Sequence, residues 1–305
     1  MKKLSDLLAA VRPGMAAAPQ ADAVPLEGGP SVRRRTVPGS AGELPGLPPL
    51  LQRIYAARGI STPEQLQLSL DRLLRVGTLE GVEPAATLLA AHREGSVLVV
   101  GDFDADGATS TALMVRALGA WGFREVGFLV PDRFRFGYGL TPEIVALAAE
   151  RRPSLIVTVD NGIASLAGVA EAKSRGIAVL VTDHHLPGAE LPAADVIVNP
   201  NLRSSTFGSR ALAGVGVAFY VMAALRRRLD SAGVLPAGAP PAAEFLDLVA
   251  LGTVADLVPL DANNRVLVAQ GIARIRAGRC VPGIRALLEV AGKNAPAITP
   301  SDLGF

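Results

Sequence analysis

The residues of this sequence that could do chemistry are mostly aspartates in short groups. Asp102, Asp104 and Asp106 fall within five residues, directly after the apolar run VLVV (97–100). Carboxylates this close repel one another unless a cation lies among them. The spacing also resembles the start of a calcium-binding loop, but Leu113 stands at the twelfth position, where such a loop needs a glutamate. A metal ion held by these aspartates is therefore the favoured interpretation over a calcium loop.

Two further apolar runs end in the same way. LIVTV runs into Asp160, and AVLVT runs into Asp183, His184 and His185, which include two of the three histidines in the chain. An aspartate after a strand can also cap the helix that follows, so one such residue alone would be weak support for a site. Repeated acidic strand ends, one of them with paired imidazoles, favour shared metal ligation over capping.

Asp256 is a fourth candidate, in the segment GTVADLVPL (252–260) at the end of an apolar stretch. A carboxylate after such a run needs a partner if it is buried. Taken alone, the segment favours a surface aspartate at a helix end, so its assignment as a site residue depends on the other groups.

The elements that must position these groups follow from the hydrophobic pattern. Short β-branched runs alternate with helix-like stretches, which predicts a doubly wound α/β fold with a parallel sheet of about five strands. In an open parallel sheet, ligands bind outside the carboxyl ends of the strands, so the acidic groups should meet in one crevice. The predicted strands are 97–100, 126–130, 155–159, 178–182 and 196–199, and the predicted helices are 108–120, 141–151, 166–175, 213–229 and 242–254.

The segments GDFDADG, VDNG, TDHH and GTVADLVPL, in this order and spacing, resemble the four motifs of the DHH phosphoesterase family. PDRFRFGYGL, TDHHLPGAELPAADVIVNPN and LAGVGVAFY resemble its RecJ branch, and the resemblance runs from about residue 45 to the end. It implies a metal-dependent phosphodiesterase, and in this branch a single-stranded-DNA-specific 5′-to-3′ exonuclease of DNA repair and recombination.

The same resemblance implies two divalent cations, Mn²⁺ or Mg²⁺, and a role for each matching residue. His185 would contact the scissile phosphate, while Asp106 and Asp183 would orient ligands or water. Arg133 and Tyr138 would bind substrate, although a glycine-rich turn with a surface arginine explains that segment equally well. The implied metal ligands are Asp102, Asp104, Asp160, His184 and Asp256.

Two other functions stay open. A DHH enzyme could act on short or small substrates, such as nanoRNA, cyclic dinucleotides or pyrophosphate. A non-catalytic scaffold with the same fold is disfavoured, because a scaffold has no need for mutually repelling carboxylates. Single-stranded DNA is the expected partner, with a helicase and a single-strand-binding protein as further candidates.

Four segments are predicted along the chain. Residues 1–45 read as a flexible lead-in with the basic run VRRR, and residues 46–80 as a helical extension, with helices in LPPLLQRIYAARGI and STPEQLQLSLDRLL. Residues 81–275 form the predicted DHH catalytic domain. Residues 276–305 are expected to begin a connector to a second domain that the family implies and this chain lacks.

Composition sets weaker limits. The net charge of +2 does not prove a nucleic-acid partner. The segment from Arg265 to Lys293 contains six basic residues and one acidic residue, which fits a solvated helix face or a phosphate contact equally well. A single cysteine, Cys280, fits a reducing cytoplasm. The apolar stretch 212–225 is too short to span a bilayer, and no signal peptide or membrane anchor is predicted.

Overall fold

The computed structural model describes residues 23–24, 32–33 and 44–304 of the chain. The chain divides into two compact units, Met1–Gln67 and Leu68–Phe305. The described part of the first unit holds a short antiparallel pair, Ala23–Val24 with Val32–Arg33, and helix α1. The α-helices of the described chain are α1 Pro49–Ala56, α2 Val82–Ala91, α3 Ala105–Ala120, α4 Arg133–Phe136, α5 Pro142–Ala149, α6 Leu166–Ser174, α7 Gly214–Ser231, α8 Leu246–Ala255, α9 Ala262–Arg276 and α10 Pro282–Val290.

The second unit is built on a five-stranded sheet in which all strands are parallel. Its strands are β1 Ser96–Gly101, β2 Glu125–Leu129, β3 Leu155–Val159, β4 Ala178–Thr182 and β5 Val196–Val198. The order across the sheet is β2-β1-β3-β4-β5. The chain therefore reverses its direction of winding between β1 and β3, and the carboxyl ends of these two strands border the crevice where such sheets bind ligands.

Apolar side chains cover both faces of the sheet, as a parallel sheet requires. Alternate residues of each strand, such as Val99 and Val157, pack into the larger core with α2, α3, α7, α8 and α9. Their neighbours, such as Leu98 and Ile156, pack into a second core with α5 and α6. The predicted doubly wound α/β fold with about five strands is confirmed.

The predicted helix over STPEQLQLSLDRLL is wrong. Leu66, Leu68 and Leu70 recur every second residue, a spacing that does not place them on one helix face. Thr62 and Gln65 form a capping box, as a helix start would, but the helix that follows is only one turn long. The segment instead forms separate 3₁₀ turns at Pro63–Leu66, Leu70–Arg72 and Val76–Thr78.

The predicted helix over residues 242–254 is correct in place but begins with a 3₁₀ turn, Ala242–Phe245, before α8. Helices α2, α9 and α10 were not among the predicted helices. Among the described residues, no helix has both the length and the apolar character needed to cross a membrane.

Candidate metal centre

Every predicted site residue after a strand lies at the same edge of the sheet. Asp102 follows β1 directly, Asp160 follows β3, and Asp183 follows β4. The carboxylates of Asp102, Asp104 and Asp160 have oxygen atoms within 4.8 Å of one another. The structure thus joins acidic groups that are more than fifty residues apart in the chain.

The loop after β1 combines capping with clustering. Asp104 is the N-cap of α3, and its carboxylate accepts a hydrogen bond of 2.9 Å from the Gly107 N–H. Asp102 accepts one of 2.8 Å from the Phe103 N–H. Leu113 is fully buried inside α3, so the segment leads into a core helix rather than a calcium-binding loop.

Asp160 has an unusual backbone for an aspartate, with a φ of 61° in the left-handed region. Such a conformation costs energy for any residue other than glycine and persists only where neighbouring groups hold it. The Asp160 N–H donates to Thr182 O at 3.1 Å, and the phenol of Tyr138 donates to Asp160 O, also at 3.1 Å. These two contacts fix both of its peptide groups.

His184 and Asp256 complete the cluster from β4 and α8. His184 Nε2 lies 3.1 Å from Asp160 Oδ1, 3.7 Å from Asp256 Oδ2 and 3.9 Å from Asp106 Oδ2. Within the described chain, His184 Nε2, Asp160 Oδ1 and Asp256 Oδ2 are buried without a hydrogen-bond partner. Buried polar atoms are normally paired, so these three call for a ligand.

Asp106 contacts a different element. Its carboxylate accepts hydrogen bonds from the first N–H groups of α7, 2.6 Å from Gly214 N and 2.8 Å from Val215 N. A helix N-terminus favours a carboxylate through both its free N–H groups and its dipole. Asp106 therefore attaches α7 to the cluster while facing His184.

Glycines allow the helices to approach this closely. A Cβ on Gly214 would lie 2.7 Å from Asp160 Oδ1, and a Cβ on Gly252 would lie 2.9 Å from Asp106 Oδ1. Sequence reasoning missed both glycines as site residues. The only available signal was their place in the segments LAGVGVAFY and GTVADLVPL.

Asp183 orients His185. Its carboxylate accepts hydrogen bonds from the N–H groups of Ile163, His184 and His185, and lies 2.8 Å from His185 Nδ1. Asp183 is 1% exposed, whereas the His185 side chain is about half exposed. Asp183 therefore holds the imidazole at Nδ1, while the rest of the ring remains accessible.

Burial and charge shift several pKa values in the cluster. Burial, together with the carboxylate of Asp104, raises the pKa of Asp160 to about 9. Burial likewise raises the pKa of Asp106 well above its ordinary value, with Asp160 adding to the effect, and burial raises the pKa of Asp256. The energetic cost of ionising these carboxylates is what a bound cation would offset.

In the Asp183–His185 pair, by contrast, both pKa shifts favour the charged form. Burial alone would raise the pKa of Asp183, but hydrogen bonds from His185 and from the Ile163 N–H outweigh it and lower that pKa. The hydrogen bond with Asp183 raises the pKa of His185 to about 9. The pair is therefore an ionised carboxylate beside a protonated imidazole at neutral pH.

The two residues predicted to bind substrate both contact candidate metal ligands. One guanidinium nitrogen of Arg133 lies 3.1 Å from each carboxylate oxygen of Asp102, and the guanidinium lies 3.5 Å from the centre of the Phe103 ring. Tyr138 reaches Asp160 and borders a cleft of about 400 Å³ lined by Thr141, Ser165, His185 and Leu186. Neither belongs to an unconnected surface turn.

Asn161, the second residue of VDNG, is also part of this edge. It is 2% exposed, and its amide donates to Val100 O at 3.1 Å and to Val159 O at 2.9 Å. Asn161 therefore links the ends of β1 and β3, a role that its place in the motif VDNG does not indicate.

The donor set fits divalent cations. Small cations such as Mg²⁺ bind oxygen at about 2.1 Å, which places adjacent ligand atoms about 3 Å apart. The separations of 3.1–3.9 Å around His184 Nε2 lie in this range or slightly above it. Carboxylate oxygens, which make up most of this donor set, are ligands that suit Mn²⁺ and Mg²⁺.

Comparison with known families agrees with this fold. The family model described as "DHH family, N-terminal domain" matches residues 96–253. That segment is more than half of the 305 residues, and the chain belongs to the DHH family.

Particular relatives are more specific. The single-stranded-DNA-specific exonuclease RecJ of Dickeya dadantii is 58% identical over 280 residues, and that of Escherichia coli is 57% identical over 279 residues. Each alignment covers 90% of this chain and 48% of the relative, so the chain spans about half the length of the curated relatives it matches. The crystal structure of RecJ in complex with Mn²⁺ from Thermus thermophilus matches with a TM-score of 0.66 and 35% identity, over 82% of this chain and 34% of that one.

Proposed function

We propose that this chain is the catalytic part of a metal-dependent exonuclease that hydrolyses single-stranded DNA from the 5′ end, in DNA repair and recombination. The observation that carries the proposal is the convergence of three buried, unpartnered atoms on Asp160, His184 and Asp256 at the carboxyl edge of the sheet. The relatives that share more than half of their aligned residues with this chain are named as single-stranded-DNA-specific exonucleases.

Asp102, Asp104 and Asp160 would hold one divalent cation, and His184 and Asp256, which group with Asp106, would hold a second. Two cations, Mn²⁺ or Mg²⁺, would neutralise charge on the scissile phosphate and lower the pKa of a bound water molecule. Asp106 would keep His184 and α7 in place, since it lies between them.

His185 is the residue of this chain best suited to a proton or charge role at the phosphate. Asp183 holds its Nδ1, which fixes the ring, and the hydrogen bond between them raises the pKa of the imidazole. A protonated imidazole can donate a hydrogen bond to a phosphate oxygen or a proton to a leaving oxygen. The exposed part of its ring borders the cleft that Tyr138 lines.

Arg133 and Tyr138 would contact the substrate from the segment that follows β2. Arginine binds phosphate well, and tyrosine can stack on a base or a ribose. The basic stretch from Arg265 to Lys293 contributes less than its charge suggests. Arg274 pairs with Glu244, Arg276 donates to Ile298 O, and Lys293 pairs with Asp302. These three side chains make contacts within the protein.

Hydrolysis of single-stranded DNA tests the proposal. Strands of 5 to 50 nucleotides, labelled at either end, are incubated with the chain and Mn²⁺, with EDTA, or with the Asp160→Ala variant. We expect mononucleotides from the 5′-labelled end first, only with Mn²⁺ and only with the native residue. A rate that is highest on the shortest substrates would favour a short-substrate phosphodiesterase, and hydrolysis that persists in EDTA would refute a metal-dependent reaction.

The finer assignments belong to the same proposal. They are a catalytic domain at residues 81–275 between a lead-in, a helical extension and a connector, a cytoplasmic location, and a helicase and a single-strand-binding protein as partners. Association with either protein is measurable by co-purification with this chain.

A further inference from the structure

Tyr138 lies between two glycines with left-handed backbones, Gly137 with φ 78° and Gly139 with φ 77°. Its ring is about half exposed and borders the cleft beside His185, where the two rings pack edge to face at 6.0 Å. Its hydroxyl points the other way, and donates to the backbone oxygen of Asp160 at 3.1 Å. One side chain thus contacts both the cleft and a ligand loop.

The backbone of Asp160 needs such a contact. Its left-handed φ of 61° is unfavourable for an aspartate, and its carboxylate is directed by that backbone to within 3.1 Å of His184 Nε2. The Asp160 N–H is held by strand pairing to Thr182 O. The carbonyl on the other side of the residue has the Tyr138 hydroxyl as a partner, so this bond completes the restraint.

The same short segment restrains a second candidate ligand. Arg133, five residues before Tyr138, lies 3.1 Å from both carboxylate oxygens of Asp102. Asp102 follows β1 and Asp160 follows β3, the two strands that border the crevice. Residues 133–138 therefore contact both ligand loops at the point where the winding of the sheet reverses.

We propose that Tyr138 is a positioning residue for the metal centre: its hydroxyl holds Asp160 in the left-handed conformation that aims the carboxylate at the cations. This inference rests on the proposed metal-dependent function and adds a role separate from substrate contact. Groups that orient a metal ligand typically change metal affinity about 10- to 100-fold when removed. Stacking on a base, in contrast, leaves the affinity for free metal ions unaffected.

The test is Mn²⁺ binding to the whole chain without nucleic acid, measured by titration calorimetry. Tyr138→Phe keeps the ring and removes only the hydroxyl. Tyr220→Phe is the matched control, because its hydroxyl donates to Asn263 Oδ1 at 2.9 Å, inside the core and outside the metal cluster. We expect Tyr138→Phe to bind Mn²⁺ about 10-fold more weakly, and Tyr220→Phe to bind it as the native chain does. Raising the Mn²⁺ concentration should then recover the lost turnover of Tyr138→Phe but not that of Asp160→Ala.

Each other outcome has a definite meaning. Equal Mn²⁺ affinity of the native chain and Tyr138→Phe overturns the positioning role and leaves the proposed function intact. A raised KM for oligonucleotides with unchanged Mn²⁺ affinity overturns it in favour of substrate contact alone. If the native chain and Asp160→Ala bind Mn²⁺ equally weakly, the metal centre itself is refuted, and the positioning role with it.

Discussion

Replacement of Gly214 by alanine tests whether the start of α7 sets the geometry of the metal centre. Gly214 is the first residue of that helix, and its N–H donates to Asp106. Its φ is not in the left-handed region, so the backbone itself accepts an alanine. The added Cβ, however, would lie 2.7 Å from both Cβ and Oδ1 of Asp160, and 2.9 Å from its Cγ.

The size of the effect follows from these distances. Ordinary contacts of a Cβ begin at 3.4 Å, so Asp160 or the N-terminus of α7 must move by about 0.7 Å. Ligand distances in metal sites tolerate only about 0.2 Å, and misplacement by about 1 Å can cost on the order of 100-fold in rate. We therefore expect Mn²⁺ affinity to fall about 10-fold or more and turnover about 100-fold. Overpacking should cost about 1–3 kcal/mol of unfolding free energy.

Gly216→Ala is the control, two residues further along the same helix. Its Cβ would lie 2.8 Å from Leu212 Cδ2, the movable end of a side chain, and it meets no candidate ligand. Mn²⁺ calorimetry, single-strand hydrolysis and thermal unfolding are measured on both variants and the native chain. If Gly214→Ala matches Gly216→Ala in Mn²⁺ affinity and turnover, the close approach of α7 does not position Asp160, and the reasoning fails.

Three further predictions concern single side chains. In EDTA, Asp160→Ala should raise the melting temperature, because it removes a buried carboxylate that is costly to ionise. Asp106→Ala should lower the melting temperature, because two N–H groups of α7 lose their acceptor. Shifts of the same sign in the two variants would contradict these roles. Burial alone would raise the pKa of Asp195, but hydrogen bonds from Lys173 and the Val179 N–H lower it, so its stabilisation is present above pH 4 or so and is lost as pH falls through the lowered pKa. Asp195→Asn should therefore lower the melting temperature at pH 7 and not at pH 2, and an equal loss at both would refute the linkage. Trp121→Phe should cost about 1–3 kcal/mol in urea unfolding, since the fully buried indole N–H donates to Pro240 O at 2.9 Å; an unchanged midpoint would mean that this bond contributes nothing.

Strands β1, β3, β4 and β5 could be predicted from the sequence because each is a short β-branched run followed directly by a polar residue. LIVTV and AVLVT match β3 and β4 residue for residue. The helices α9 and α10 were harder to predict. Arginines interrupt the apolar pattern of α9, and the apolar positions Leu267 and Ile284 are nevertheless buried. Helix α9 packs against α8, so its formation depends on the core as well as on local pattern.

The convergence of the candidate ligands could also be predicted, because they follow strands or end an apolar helix and match family motifs. The contacts that orient them could not. Asp106 pairs with N–H groups 108 and 109 residues further along the chain, and Tyr138 with a carbonyl 22 residues away. Nothing in the local sequence around Asp106 indicates which helix its carboxylate will face. Such pairings follow only from the three-dimensional arrangement of the sheet and its helices.

The pairing of Asp106 with α7 has a consequence for how the chain folds. During synthesis, the carboxylate of Asp106 emerges long before residues 214 and 215, which supply its backbone partners. Strand β1 must likewise wait for its neighbour β3, and their pairing begins at Val97 with Leu155. Contacts this distant in sequence form slowly, because a long loop must close before they contribute. We therefore expect the amides of α7 next to the metal centre to gain protection in pulsed hydrogen exchange later than those in α3. Until these long-range contacts form, the nascent chain remains prone to misfolding.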